Sequence, residues 1–283
     1  MTKEKKTRSL RVQNMHIPSH GVLALWSLLA LFPIWVLVVN SLKTRYTIYN
    51  NPFWLPEKWN FGNYREVLVS GDFLRYFQNS LIVVVLSIAL VLLLGSLAAY
   101  SLANWRGRAS GALYFWMIAG MMLPIKIASI KLLEMVKGLS LINTIWALVP
   151  IYVAMGIPIA VFVLTEFVRQ TPGELLEAGF IDGAGRFHIF WRIVLPLLRP
   201  AMATVAIYNL IPFWNDLWFP LIFISDERSK TLLLGVTRLF GQYQTDWSKV
   251  LAVLTLSAVP VLVLYLAMSK QFIKGLTAGA VKG

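Results

Sequence analysis

An aspartate and several polar or aromatic neighbours stand in an otherwise apolar stretch of the chain. Asp216 is flanked by Trp214, Asn215 and Trp218, and Asn209 lies two helical turns earlier. On one continuous helix, Asn209 and Asp216 would share a face. Tryptophan rings, side-chain amides and carboxylates are groups that can bind sugar rings and hydroxyls. The alternative is that these side chains hydrogen-bond between helices and hold them together.

Lys126 is the other ionisable residue inside an apolar stretch. Charged groups at membrane depth are costly, and this makes them functional candidates. On a straight helix that starts at Gly111, Lys126 would lie roughly 22 Å from the start. Its side chain would then either snorkel to the outer surface or line a solute path. The residues predicted to form such a path are Asn209, Trp214, Asn215, Asp216 and Lys126.

A long segment at residues 171–196 joins two apolar stretches that a linker of a few residues could connect. Its first residues have the layout of a helix start. Thr171 is placed to cap the helix, Pro172 to occupy the first helical position and Glu174 to reach back as in a capping box. The pattern predicts a short helix.

Two glycines, Gly183 and Gly185, then predict a break in this helix. A second amphipathic stretch follows over Phe187–Leu195 and ends at Pro196. The pattern indicates a bent pair of short helices near the membrane surface. Amphipathicity alone is equally consistent with a segment that only anchors the connection among lipid headgroups.

The elements that must position these residues are membrane helices. Of the 283 residues, 58% are apolar and 14% are charged, whereas a soluble domain has about a quarter of its residues charged. This composition argues against a water-soluble enzyme and against a disordered protein. Basic flanks of membrane helices explain the net charge of +13 better than nucleic acid does. The chain has no cysteine, and its three histidines show no metal-ligand spacing.

The apolar stretches predict an all-α integral membrane protein with six transmembrane helices and a cytoplasmic helix between spans four and five. A cytoplasmic basic tail and a cytoplasmic C-terminal tail flank the membrane domain. The predicted spans are 21–40, 80–103, 111–132, 143–165, 200–224 and 250–269, within a membrane domain at 21–273 and between tails at 1–20 and 274–283.

The N-terminal apolar run is predicted to be retained as the first span. The basic start Lys3–Arg11 fits a signal peptide, but the run is too long and no small-x-small cleavage site follows it. All charged residues in the short connection at residues 104–108 are basic. This favours a cytoplasmic location for the connection. With six spans, both termini would then be cytoplasmic.

The 171–196 segment resembles the "EAA" signature of permease subunits of bacterial binding-protein-dependent ABC importers. In that family, the segment forms a coupling helix that sits in a groove of a separate ATP-binding subunit. The resemblance implies this role for Glu177, Ala178, Gly179, Asp182, Gly183 and Ala184. Gly179 departs from the family pattern, in which alanine is usual.

Further pieces resemble the maltose-type carbohydrate branch of the same family. They include Asn79-Ser80, Met122-Leu123-Pro124, Trp214-Asn215 and the terminal Gly279–Gly283. The resemblance implies a non-catalytic subunit in the bacterial inner membrane that helps to import a sugar or sugar derivative. Its implied partners are a second permease, two ATP-binding subunits and an extracytoplasmic solute-binding protein, with no nucleic acid involved.

The same resemblance assigns ATP and Mg to the partner subunits, so that this chain binds no cofactor. The sequence contains no Gly-Lys dipeptide and therefore no phosphate-binding loop of the Walker A type. Two other classes of protein are alternatives to a permease subunit. An ion-driven secondary transporter would show internal repeats, but the halves 21–131 and 143–273 show no convincing self-similarity. An intramembrane enzyme would need paired catalytic groups, and none stands at workable spacing.

Overall fold

The computed structural model describes residues 3–69, 72–105, 107–240 and 245–280. Regular structure in these residues is helical, apart from one isolated antiparallel bridge between Phe240 and Thr245. The helices are α1 (Lys3–Ser41), α2 (Arg45–Asn50), α3 (Gly62–Val69), α4 (Asp72–Asn104), α5 (Arg108–Ala119), α6 (Ser129–Gly138), α7 (Leu148–Arg169), α8 (Gly173–Ile181), α9 (Arg186–Ile189), α10 (Leu195–Leu197), α11 (Arg199–Trp214), α12 (Trp218–Phe223), α13 (Leu232–Val236) and α14 (Trp247–Ala280).

Four helices in the described residues are long and apolar enough to cross a membrane. They are Ser19–Ser41, Asp72–Asn104, Ile145–Arg169 and Trp247–Ala267. Two bent helix pairs raise the number to as many as six if each pair forms one span. The predicted all-α membrane fold is confirmed.

One bend lies inside the predicted third span, 111–132, and the other lies just before the predicted fifth span, 200–224. Ala109–Met122 meets Ile125–Gly138 at 81°, because Pro124 lacks the backbone N–H that a continuous helix needs. Arg186–Leu197 meets Arg199–Trp214 at 71°. The predicted fifth span itself breaks between α11 and α12, at residues 215–217. Neither predicted span is a single straight helix.

The chain folds as two compact units, of which the larger comprises Ser70–Arg238 and Ser257–Gly283. Its centre is the packing of α4 against α7, with α11 against both. A methyl group on Gly95 would lie 2.6 Å from Cβ of Ala160, and one on Gly156 would lie 2.6 Å from Cγ2 of Val91. Small residues at these crossings therefore allow the helix backbones to approach closely.

A cluster of charged side chains lies in the larger unit beyond α12. Arg238 forms ion pairs with Asp72 at 3.1 Å and with Glu227 at 3.0 Å. Glu227 also accepts hydrogen bonds from Lys230 at 2.6 Å and from the Tyr76 hydroxyl at 3.0 Å. The hydrogen bond from Lys230 outweighs the opposing effect of desolvation and, together with the other partners, holds the pKa of the exposed Glu227 below its ordinary value.

The smaller unit comprises Met1–Val69 and Leu239–Leu256. At the end of α1, the buried Lys43 ammonium donates to Oδ1 of Asn40 at 3.0 Å and to the Asn51 carbonyl. The Asn63 amide donates to the carbonyls of Ser41 and Lys43, at 2.8 Å each. Burial lowers the pKa of Lys43. These bonds fix the turn that follows α1.

Candidate functional site

The segment at residues 171–198, here named the connecting segment, begins differently from the predicted layout. Helix α8 begins at Gly173, Pro172 takes the N-cap position, and no side chain caps the helix. Thr171 donates its hydroxyl to the Phe167 carbonyl at 3.3 Å instead. The predicted Thr171 cap and the predicted place of Pro172 are therefore wrong. The reason is that the last carbonyls of α7 also lack helical partners and take the hydroxyl.

The end of α8 is closed by a Schellman motif. Gly183 has a φ of +79°, its N–H donates to the Phe180 carbonyl, and the N–H of Ala184 donates to the Gly179 carbonyl, both at 3.0 Å. Gly185 has an ordinary φ of −70°. Of the two glycines predicted to break the helix, only Gly183 needs the conformational freedom of glycine.

The inner face of α8 packs on the second half of the connecting segment. Gly179 is buried. A methyl group on it would lie 3.1 Å from Cδ1 of Ile193 and 3.2 Å from Cγ1 of Ile189. A methyl group at Gly179 would therefore require one of these isoleucine side chains to shift by a few tenths of an ångström, so α8 lies close to the next turn of chain.

The outer face of α8 is exposed and carries both acidic and apolar side chains. Glu177, Ala178 and Asp182 are exposed. Phe180 is 49% exposed and Ile181 is 84% exposed. Large apolar side chains on a short surface helix with carboxylates beside them are typical of a surface that binds another protein.

The connecting segment is also attached to the end of α4. The ring of Tyr100 lies 5.5 Å from the ring of the buried Phe190, measured between centroids, and its hydroxyl donates to the Arg186 carbonyl at 3.4 Å. A π-helical turn over Phe190–Val194 and the buried Leu198 then lead into α11. The connecting segment is therefore fixed to two long helices of its unit.

Two of the residues predicted for the solute path, Lys126 and Asp216, lie where the break at Pro124 approaches the break between α11 and α12. We name the group formed by Lys126, Ser129, Tyr152, Asp216 and Trp218 the break site. Lys126 is on the 3₁₀ turn Ile125–Ala128 that follows the Pro124 break. Its Nζ lies 5.6 Å from the centroid of the Trp218 ring, at the start of α12. The Trp218 indole N–H donates to Oγ of Ser129 at 2.9 Å, and Ser129 donates to the Lys126 carbonyl at 2.6 Å. One hydroxyl thus links the lysine turn to the tryptophan ring.

Asp216 holds the backbone of the break site. It lies between α11 and α12, and therefore not on the helix face that the sequence pattern assigned to it. Its carboxylate accepts hydrogen bonds from the Tyr152 hydroxyl at 2.9 Å, from the Trp218 N–H at 3.1 Å and from the Phe219 N–H at 3.3 Å. Tyr152 is buried and stacks on Phe213, with ring centroids 4.8 Å apart. Asp216 thus stabilises the first turn of α12.

The other three residues predicted for the solute path lie elsewhere. Asn209 is buried and donates to the Val205 carbonyl of its own helix at 2.9 Å. Trp214 is buried, and its indole N–H donates to the Ser257 carbonyl at 2.9 Å. The Asn215 amide donates one turn back within α11. Only the Trp214 bond joins two helices, as in the alternative interpretation, whereas the Asn209 and Asn215 bonds stay within α11.

Ser129, Tyr152 and the role of Trp218 were not apparent from sequence. Ser129 stands 89 positions from its partner Trp218, and Tyr152 stands 64 from Asp216. The available signal was weak, since it consisted only of a serine shortly after Pro124 and a tyrosine in an apolar run. The described residues contain no group of His, Asp or Glu side chains that could hold a metal ion.

The helices are interrupted beside the break site, at residues 123–124 and 215–217, although both interruptions lie inside apolar sequence. The 16 residues of α11 extend for about 24 Å at ~1.5 Å per residue, and this is less than the ~30 Å of a hydrocarbon core. Irregular backbone at such a depth is tolerated only where protein buries it or where it lines a water-filled cavity. In a bilayer, the exposed side chains of the break site, Lys126 and Trp218, would therefore face either a solute path or another subunit.

Residues 91–274 match the family model of the binding-protein-dependent transport system inner membrane component. The chain belongs to this family. The matched region of the permease includes both the connecting segment and the break site.

Two similar relatives are permeases of named uptake systems. The diacetylchitobiose uptake system permease protein NgcG of Streptomyces coelicolor is 34% identical to this permease, over 92% of this chain and 87% of the relative. The melibiose/raffinose/stachyose import permease protein MelC of Bacillus subtilis is 35% identical, over 89% of this chain and 91% of the relative. Both similarities extend over most of each chain.

The fold of the permease also resembles a solved structure. A chain in the crystal structure of a bacterial ABC transporter involved in the import of the acidic polysaccharide alginate superposes with a TM-score of 0.80. The superposition covers 94% of this chain and 98% of that chain, at 21% sequence identity. The likeness shows that the two chains share a fold.

Proposed function

We propose that this permease forms one half of the transmembrane channel of an ATP-driven importer for a sugar or sugar derivative. A second permease completes the channel, and two ATP-binding subunits drive it. An extracytoplasmic solute-binding protein delivers the substrate. Both termini and the connecting segment lie on the cytoplasmic side.

The observation that carries this proposal is the construction of the connecting segment. A loop between two spans needs neither a Schellman closure nor an exposed face with Phe180 and Ile181 beside carboxylates. Such a surface is suited to a groove in another protein. In the proposed complex, Ala178 allows close approach, and Glu177 and Asp182 meet basic side chains of the ATP-binding subunit.

The contacts of the connecting segment support a mechanical role. Gly179 packs against Ile189 and Ile193, and Tyr100 ties the segment to α4. A displacement of α8 by the ATP-binding subunit would therefore move the start of α11 rather than be absorbed in a loose loop. Helix α11 ends next to the break site, so the same movement would reach the proposed solute path.

The nature of the substrate is inferred from the relatives and from the chemistry of the break site. Both named relatives are permeases of saccharide uptake systems. The break site offers an exposed tryptophan ring and a lysine. We assign Lys126 and Trp218 to the solute path, with Asp216 in a supporting position. Asn209, Trp214 and Asn215 stabilise the helices around it.

In this proposal, nucleotide chemistry belongs to the partners. ATP and Mg bind to the ATP-binding subunits, and this chain binds no cofactor. The purified chain alone should therefore hydrolyse no ATP. ATP hydrolysis that purifies with this polypeptide alone would contradict the proposal.

The docking role is tested by reversing one charge on the outer face of α8. Glu177→Lys places a positive charge where a basic partner surface is proposed, and like charges brought together at an interface cost several kcal/mol. We expect the variant to reach the membrane at normal levels but to lose copurification of the ATP-binding subunits. The measurement is the ratio of ATP-binding subunit to permease after affinity purification.

The matched control is Glu134→Lys. Glu134 is an exposed carboxylate on α6, where it pairs with Lys131 at 2.8 Å, so the chemical change is the same at a site away from α8. We expect this variant to keep its ATP-binding subunits. Normal copurification with Glu177→Lys would show that the connecting segment is only a membrane anchor.

A further inference from the structure

We infer that the transported sugar carries an anionic group, and that Lys126 and Trp218 form the subsite that receives it. The inference rests on the proposed function and adds the substrate class. The shared chemistry is a carboxylate, sulfate or phosphate attached to a sugar ring. Three properties of the break site support it: an uncompensated cation, a carboxylate that is already satisfied, and a tryptophan ring that is held in place.

The cation is Lys126. Its side chain is exposed, and its contact in the described residues is the Trp218 ring at 5.6 Å. The ion pairs formed among the described residues do not include it. A charge that lies inside apolar sequence without a partner is costly, and it marks a substrate or ion pathway. An anion bound in the path would compensate this charge.

The carboxylate in the break site does not supply that compensation. Asp216 already accepts three hydrogen bonds, from Tyr152 and from the backbone N–H groups of Trp218 and Phe219. These donors engage both oxygens of the carboxylate and hold it at the start of α12. Among the described residues Asp216 forms no ion pair with Lys126, so the ammonium is left for an anion of the solute, and the carboxylate acts on the backbone of α12.

The tryptophan ring is fixed at two points. Asp216 holds its backbone N–H, and Ser129 accepts its indole N–H at 2.9 Å. The residue remains 45% exposed. A preorganised aromatic surface can receive the apolar face of a sugar ring at little entropic cost. The Lys126 stem is long enough for its ammonium to turn from the ring to an anionic substituent while the backbone stays in place.

The test uses the whole transporter in liposomes, with its second permease, ATP-binding subunits and solute-binding protein. The probes are glucuronic acid, galacturonic acid and sulfated glucose, together with disaccharides built from them. Each probe is compared with the neutral sugar of the same ring. We expect ATP-dependent uptake of at least one anionic probe to exceed that of its neutral counterpart.

Lys126 is then varied in this assay. Lys126→Gln removes the charge, and the loss of a charge-assisted hydrogen bond corresponds to about a 10-fold to 100-fold lower uptake of the anionic probe at low concentration. Lys126→Arg keeps the charge and should keep most of the uptake. The control is Lys131→Gln, which removes an exposed lysine that pairs with Glu134 and should leave uptake unchanged.

Two results would overturn the inference while the proposed function stands. One is preferential uptake of a neutral sugar. The other is uptake of an anionic probe that Lys126→Gln leaves unaltered, since Lys126 would then pair with the second permease or with lipid. Failure to take up any anionic or neutral sugar would contradict the proposed function, and this inference with it.

Discussion

Replacing Gly183 with alanine should weaken the bend of the connecting segment through backbone strain alone. Gly183 has a φ of +79°, and a methyl group on it would meet nothing within 4 Å. The cost is therefore conformational, about 1–2 kcal/mol for a residue other than glycine in the left-handed region. At about 1.4 kcal/mol for each factor of ten, the closed bend should become roughly fivefold to thirtyfold less populated.

A series of side chains at this position separates strain from bulk. Asparagine tolerates the left-handed region better than alanine, and valine tolerates it worst. The apparent affinity for the ATP-binding subunits should therefore fall in the order Gly, Asn, Ala, Val at position 183. The control is Gly185→Ser, because Gly185 has a φ of −70° and stands at the N-cap of α9, where serine is favoured.

The assay is titration of the purified permease pair with its ATP-binding subunits in detergent, read as the concentration that restores half of the ATP hydrolysis. Gly185→Ser should match the parent protein. Equal losses for Gly183→Asn and Gly183→Val would refute the conformational argument. A loss for Gly185→Ser as large as that for Gly183→Ala would show that added bulk at the surface, rather than φ, decides docking.

Three further predictions concern packing, pH and topology. Gly156→Ala should lower the melting temperature of the purified permease, because its methyl group would meet α4 at 2.6 Å and overpacking costs about 1–3 kcal/mol. Gly111→Ala meets nothing within 4 Å and should leave that temperature unchanged, so equal losses would contradict the packing argument. The hydrogen bond from Lys230 lowers the pKa of Glu227 below its ordinary value of 4.5. The ionised Glu227 therefore stabilises the fold at pH values above 4.5, and this stabilisation is lost as the pH falls through the lowered pKa of the folded state. On going from neutral pH to strong acid, the melting temperature should therefore fall further for the parent protein than for Glu227→Gln. Plots of melting temperature against pH that run parallel for the two proteins would contradict this prediction. A cysteine in place of Lys58 should react with a membrane-impermeant thiol reagent in intact cells. A cysteine in place of Lys282, which lies outside the described residues, should not react. The reverse pattern would place the termini outside the cell.

The sequence by itself determined the class of the protein and the position of its main interruptions. Long apolar runs with few charges require membrane helices, because a soluble fold could not cover them with polar surface. Local rules also located the Gly183 break, since a left-handed residue that ends a helix is commonly glycine. The short helix of the connecting segment followed from amphipathic spacing, which depends only on near neighbours in the chain.

Tertiary structure decided what local rules could not. The start of α8 changed because the carbonyls of α7 took the Thr171 hydroxyl, and Gly179 reflects contact with residues that fold back on it. Asp216 left the predicted helix face because the helix ends at Trp214. The break site joins residues as far as 92 positions apart, Lys126 and Trp218. The periodicity of the sequence indicates only which side of a helix a residue occupies. The distant residue that this side contacts depends on how the broken helices pack against one another.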